Sequence, residues 1–355
     1  MSHTVVVLWV GFGLGILWGV IGQRTDFCLT GGLREWLWQQ NRTRIGVFAL
    51  AMVMALIGTQ ILVGSGRLDL RQSIYLQPTF SWLLIPLGGV IFGYGMILAR
   101  GCGSRALVLL GDGNLRSLLV LPALGISAYV TLTGLLALPR LRVAEATSIT
   151  PALEVPSLAA LLQIVALPAQ PALVLGTVLL AFPIAWFGWK SLPKTMRIRH
   201  LLGAMAIGLL IPLAWITTGI LGADDFEPVA VESLTFVAPI GDTIQYLMLS
   251  TGTSLRFGVA VVAGVLMGSL VTSLIAGDFT LRGCRNPAEI LHAVGGGILM
   301  GIGGALALGC SVGQGLSGFS TLSLPSLLAF AGILYGARLA LRSPWSVPPY
   351  PEDQT

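Results

Sequence analysis

Apolar residues run almost unbroken over nine stretches of the chain, at 5–22, 45–63, 81–98, 118–138, 172–189, 201–221, 255–276, 290–308 and 324–341. A bilayer core about 30 Å thick takes about 20 helical residues to cross. Each run therefore predicts a transmembrane helix, about nine in all. Two of the connections, 101–113 and 309–320, are short, moderately polar and rich in glycine. They predict re-entrant segments or half helices, a backbone tolerated at membrane depth only where protein or a water-filled cavity covers it. Longer connections fall at 144–170 and 224–254, the second with a short surface helix around 243–249. From Pro344 the chain is polar and Pro-rich and reads as a disordered tail. The first run lacks a basic leader and a small-x-small cleavage site, so it reads as a retained span. Gly11-x-Gly13-x-Gly15 inside it has no strand–turn–helix context for a nucleotide and reads as close helix packing.

The pattern is duplicated. Gly93-Tyr94-Gly95-Met96-Ile97-Leu98-Ala99-Arg100-Gly101-Cys102 returns as Gly301-Ile302-Gly303-Gly304-Ala305-Leu306-Ala307-Leu308-Gly309-Cys310. Both read Gly-x-Gly-x-x-Leu-Ala-x-Gly-Cys, and both are followed by a polar loop and another apolar span. Self-similarity on this scale predicts two related halves. Gly-interrupted hydrophobic segments at matching positions of two halves point to a transport site between them. The expected fold is an all-α integral membrane protein with two pseudo-symmetric inverted halves. The first repeat occupies 1–138 with Cys28 and Cys102, and a connecting region with two spans occupies 139–254. The second repeat occupies 255–343 with Cys284 and Cys310, and the tail occupies 344–355.

Composition agrees. The 355 residues are 55% hydrophobic and only 10% charged, with mean hydropathy +0.86, against about 25% charged in soluble domains. The net charge of +5 suggests nucleic acid in a soluble protein. Here it fits the gathering of Lys and Arg in cytoplasmic loops of membrane proteins, and no nucleic-acid partner is expected. With residues 24–44 inside and nine alternating spans, Lys and Arg divide 15 inside to 5 outside. That places the N-terminus outside and the C-terminus in the cytoplasm, with the acidic loop of Asp224, Asp225, Glu227, Glu232 and Asp242 external.

The four cysteines all end apolar spans and contain no Cys-x-x-Cys pair, and the three histidines are scattered. Neither zinc nor haem ligation is expected, nor any other metal or cofactor. No Ser, His and Asp gather in sequence as a hydrolase site, and only His292 lies near a cysteine, so no enzyme is expected. A thiol is cheap to bury, is a weak donor and meets a soft sulfur atom without holding it tightly. Transport needs sites favourable enough to enter and weak enough to leave. Cys28, Cys102, Cys310 and Cys284 are therefore the candidate relay for a sulfur-bearing anion. Gly101 and Gly309 permit close approach of backbone to ligand. Ser104, Ser311 and Gln314 offer polar groups at possible helix starts, where an anion is favoured, and Arg105 and Arg24 offer steering charge. The ordinary alternatives are packing for the thiols and positive-inside anchoring for the arginines. A membrane-embedded thiol or persulfide enzyme or redox sensor is the competing reading.

At these residues the chain resembles the YeeE/YedE family of bacterial sulfur transporters. The likeness rests on Gln23-Arg24 with Phe27-Cys28-Leu29-Thr30-Gly31-Gly32, on Gly93-x-Gly95-x-x-Leu98-Ala99-x-Gly101-Cys102, and on Gly301-x-Gly303 with Gly309-Cys310-Ser311-x-Gly313. The resemblance implies a helical inverted repeat pinched at its middle, in the bacterial inner membrane. It implies thiosulfate, or another sulfur or selenium species, relayed by weak hydrogen bonds to cysteine sulfur. Cys28, Cys102 and Cys310 match the family's three functional cysteines; Cys284 does not. A small soluble TusA-type sulfurtransferase is the partner it implies. Two departures stand out: Ala106-Leu107-Val108-Leu109-Leu110 is wholly apolar after Cys102, and Arg100 replaces the usual glycine.

Overall fold

The computed structural model describes residues 3–150, 155–164, 168–193, 197–223, 229–284 and 286–343. The tail from 344, and Asp224, Asp225 and Glu227 of the acidic loop, lie outside the described residues. In chain order the helices are α1 (His3–Thr25), α2 (Leu29–Gln39), α3 (Thr43–Gly64), α4 (Leu84–Leu98), α5 (Gly103–Gly111), α6 (Leu115–Leu132), α7 (Ala137–Ala146) and α8 (Leu158–Ile164). There follow α9 (Ala169–Ser191), α10 (Arg197–Ile216), α11 (Val237–Met248), α12 (Phe257–Ala276), α13 (Pro287–Leu306) and α14 (Leu324–Arg342). Among the described residues, nine helical stretches are long and apolar enough to cross a membrane, and they fall on the nine apolar runs. The protein is an all-α, multi-pass membrane protein. Its only strands among the described residues are the two-residue pair Phe80–Ser81 and Ser148–Ile149.

Boundaries shift where local chemistry overrides hydropathy. The fourth span begins at Leu115, where the Asn114 side chain caps the Arg116 N–H, and it ends at Leu132 ahead of Gly134. The short surface helix expected at 243–249 is a twelve-residue helix, α11. Val237, Pro239, Ile240 and Gly241 at its start are buried, because Gly125 on α6 lets the helix lie close. The loops at 101–113 and 309–320 do not stay irregular. The first contains α5; the second is helical, with a wide π-turn over Gly313–Gly318, and is buried throughout.

Packing is set by glycine. Helix α1 lies along α12, α4 along both α14 and α13, and α6 along α13, while α3 packs between α9 and α10. A Cβ on Gly15 would strike the backbone of Val261 and Gly264, and one on Gly93 the carbonyl of Ile333. Such close approach is how helices associate where lipid is as apolar as the side chains. The expected packing role of the first glycine stripe holds for Gly11, which faces the Phe257 ring, and for Gly15; Gly13 faces open space.

Candidate functional site

Three of the four cysteines sit in the same local structure. Helix α4 ends with Arg100 in the left-handed region (φ 59°), and Gly101 N–H reaches back to the Met96 carbonyl (3.0 Å). Helix α13 ends alike: Leu308 has φ 56° and Gly309 N–H bonds the Gly304 carbonyl (2.8 Å). This is the six-residue C-terminal closure of a helix. Two residues on, Cys102 and Cys310 open the next helical segment. At the end of α1, Asp26 takes φ 49°, and Cys28, again two residues later, is the cap of α2. One backbone device, helix–left-handed residue–cysteine–helix, thus recurs three times. Each thiol is placed at a helix start, where main-chain N–H groups lack intrahelical partners.

The sulfurs have specific neighbours. Cys28 Sγ accepts the Gly31 N–H (3.4 Å), and Cys310 Sγ accepts the Gly313 N–H (3.2 Å). Cys102 Sγ lies 3.2 Å from Ser104 Oγ, and Cys310 Sγ lies 3.9 Å from Thr235 Oγ1. All three are buried, Cys102 at 3% and Cys310 at 1% exposure, and none is in a disulfide among the described residues. Cys102 and Arg105 are both within electrostatic reach of Cys28. Beside Cys310, the buried Ser311 hydroxyl and Gln314 Oε1 have no hydrogen-bond partner among the described residues, although Gln314 Nε2 donates to the Ala307 carbonyl (2.5 Å). Tyr75 is buried against the same place and hydrogen-bonds Thr235; burial, with Cys310 and Glu232 nearby, pushes its phenol well up.

A cavity of about 420 Å³ opens below Cys28 and Gly101. Arg34, Arg44, Arg100, Arg105, Arg116 and Arg282 line it, against Asp26, Glu35 and Asp112. The excess is three positive charges. Arg105 is committed to Asp26 (2.6 Å) and Arg44 to Glu35 (2.8 Å). Arg116 donates to the Leu98 carbonyl (3.0 Å), while its buried Nε has no partner among the described residues. A second cavity of about 430 Å³, lined by Arg24, Arg199 and His200 and sharing Asp26, Glu35 and Arg44 with the first, also reaches Cys28. A cationic, partly desolvated hollow of this kind concentrates small anions.

The structure therefore brings Cys28, Gly101 and Arg105 together around one vestibule, with Cys102 and Ser104 buried behind Gly101 and Arg24 in the neighbouring cavity that also reaches Cys28. Gly309, Cys310, Ser311 and Gln314 form a separate buried group. Cys284 joins neither. It is half-exposed, lies outside both cavities and precedes, without capping, the start of α13, whose cap is Asn286. Sequence reasoning missed Tyr75 and Thr235, which only the fold brings to Cys310. Arg34, Arg44, Arg116 and Arg282 enter the sequence reading only within the fifteen basic residues counted to the inside, and their convergence is seen only in the fold.

The fold is that of a multi-pass helical membrane protein, with three thiols at buried helix starts and a cationic hollow beside Cys28. The chain belongs to the Sulphur transport family, whose model matches residues 24–339. It is 27% identical over 326 residues to the Thiosulfate transporter TsuA of Escherichia coli (strain K12), covering 86% of each chain. It is 26% identical over 343 residues to the Thiosulfate transporter TsuA of Spirochaeta thermophila, covering 93% of this chain and 97% of that one.

Proposed function

We propose that this protein takes up thiosulfate across the bacterial inner membrane along a path on which Cys310, Cys102 and Cys28 present their sulfurs in succession. The observation that carries the reading is the thrice-repeated placement of a buried thiol at a helix start. At Cys28 and Cys310 a backbone N–H is donated to the sulfur, which leaves the S–H free to donate to a ligand. The terminal sulfur of thiosulfate is a soft acceptor for such a weak donor. Its sulfonate end is suited to the free N–H groups and the Ser104 and Ser311 hydroxyls. Each contact is weak, so none traps the ion. The relatives' names support the substrate.

The orientation is N-terminus outside and C-terminus cytoplasmic. It is supported by the vestibule, whose six arginines all belong to the fifteen counted to the inside. We read the two Gly-Cys units as inverted halves. Reciprocal packing supports this, α4 with α14 and α6 with α13. So does the matching clamp on each half helix's exit: Leu115 N–H bonds the Arg282 carbonyl (2.9 Å), and Leu324 N–H bonds the Pro156 carbonyl (3.0 Å). The vestibule is then the cytoplasmic exit, and the surface around it is where a TusA-type sulfurtransferase receives the ion.

The test is growth of a sulfur-uptake-deficient bacterium on thiosulfate as sole sulfur source. The wild-type gene restores growth; Cys102→Ala and Cys310→Ala, at equal membrane abundance, do not. Full rescue by either variant overturns the thiol relay, and failure of the wild type overturns the substrate.

A further inference from the structure

Outside the vestibule, a group of titratable side chains, Glu232, Asp242, Arg256 and Tyr129, gathers near the extended segment 229–236. This segment threads the interior. Ser233 Oγ donates to the Ile211 carbonyl (3.0 Å), and Ser317 Oγ donates to the Leu234 carbonyl (2.7 Å). Thr218 Oγ1 donates to the Glu232 carbonyl (2.6 Å) and accepts the Glu232 N–H (3.2 Å). These bonds pin Thr235 beside Cys310, where Tyr75 also bonds it.

Glu232 is half-buried three residues before Thr235, and its carboxylate makes no hydrogen bond or ion pair among the described residues. The titratable groups that face it there are Asp242 and Arg256, with Tyr75 on the side toward Cys310. Arg256 is turned to Asp242 (3.7 Å), and Tyr129 donates to Asp242 as well. The cation and the phenol serve one carboxylate and leave the other beside a like charge. A half-buried carboxylate in that position is relieved by binding a proton. In agreement, burial and Asp242 push the Glu232 carboxyl up to about 7.

We propose that Glu232 is the proton-binding residue of a proton–anion symport, carried on the same extended segment that sets Thr235 beside Cys310. The inference rests on the transport reading above. An anion entering a negative-inside cell moves against the membrane potential, and each proton carried with it cancels one charge. Chemically the step is only an O–H bond: the carboxylate takes a proton from the side of entry and gives it up on the side of release. The segment, and Tyr75, which feels the charge of Glu232 and bonds Thr235, link that event to the thiol that meets the anion. Protonation removes a negative charge from the approach to Cys310 when the anion arrives, and its loss restores that charge when the anion leaves.

The test is uptake of radiolabelled thiosulfate by proteoliposomes holding the full chain, with the electrical potential clamped by potassium and valinomycin. Acidifying the outside from about pH 8 to about pH 6, across the carboxyl's expected titration, should raise wild-type uptake several-fold, and a protonophore should abolish the rise. Glu232→Gln should lose the response to the gradient, whatever uptake remains. Asp242→Asn removes the neighbouring negative charge, so Glu232 should hold its proton less well and the midpoint of the pH response should move to lower pH. That second variant decides the matter even if Glu232→Gln folds poorly. Uptake indifferent to the gradient, an unaltered response in Glu232→Gln, or an unmoved midpoint in Asp242→Asn overturns the symport and leaves the transport reading standing. Absence of thiosulfate uptake by the wild type at every gradient overturns both.

Discussion

At the scale of the residue, the site depends on three backbone positions that the side chains do not advertise. Asp26, Arg100 and Leu308 each adopt a left-handed conformation in which a Cβ crowds the following carbonyl, at a cost of about 1–2 kcal/mol. That cost sets the entry angle of the next helix and so the position of each cysteine. Leu308 is the cleanest place to measure it, since the side chain is 38% exposed. Leu308→Gly should relieve the strain, partly offset by the greater freedom of glycine in the unfolded chain, and raise stability by up to about 1 kcal/mol. Leu308→Ala retains its Cβ and should not stabilise. Thermal unfolding in detergent micelles checks the pair; equal behaviour of the two variants argues against a strained turn. These positions could not be read from sequence, because the usual sign of a left-handed residue is glycine, and here the three are aspartate, arginine and leucine.

At the scale of the element, the apolar runs were legible because a bilayer demands a fixed length of apolar helix, and that demand acts residue by residue along the chain. The half helices were legible only as interruptions. Their helical form comes from neighbours remote in sequence: Asp112 at the end of α5 accepts from Ser273 (2.6 Å), and Gln60 on α3 donates to the Ser320 carbonyl (2.6 Å) at the end of the second half helix. The same holds for the Tyr75–Thr235–Cys310 grouping, whose members lie in three segments far apart in the chain. The glycine stripe of α1 separates the two kinds of information. Sequence marks Gly11, Gly13 and Gly15 alike, yet only the contact with α12 distinguishes Gly15 from Gly13. Gly15→Leu should force the helices apart and cost about 3 kcal/mol or more, near the upper end for overpacking, whereas Gly13→Leu should be close to neutral. Yield of folded protein and its unfolding midpoint separate them, and equal tolerance at both sites would mean that α1 and α12 do not meet along this seam.

At the scale of the whole molecule, the three site thiols differ in their access to water. Cys28 borders two cavities; Cys102 lies behind Gly101, and Cys310 is 1% exposed among Tyr75, Thr235 and the second half helix. Cys284, half-exposed, stands apart as an internal standard. On the proposed path an ion that meets Cys310 waits for the protein to open around it, as substrates do behind gates that close over a site. A thiol reagent must wait as well. Alkylation of the detergent-solubilised protein, followed residue by residue by mass spectrometry, should therefore run fastest at Cys284, then at Cys28, and far more slowly at Cys102 and Cys310. At high reagent concentration the rate at Cys310 should stop rising, because opening and not the chemical step then limits it, as for any group reached only through a transient state. The plateau would measure the opening rate, and its comparison with the turnover of uptake would show whether opening limits transport. Labelling of Cys310 as fast as Cys284, in proportion to reagent, would instead mean a standing open path, and the gate would have to be sought elsewhere than at Cys310.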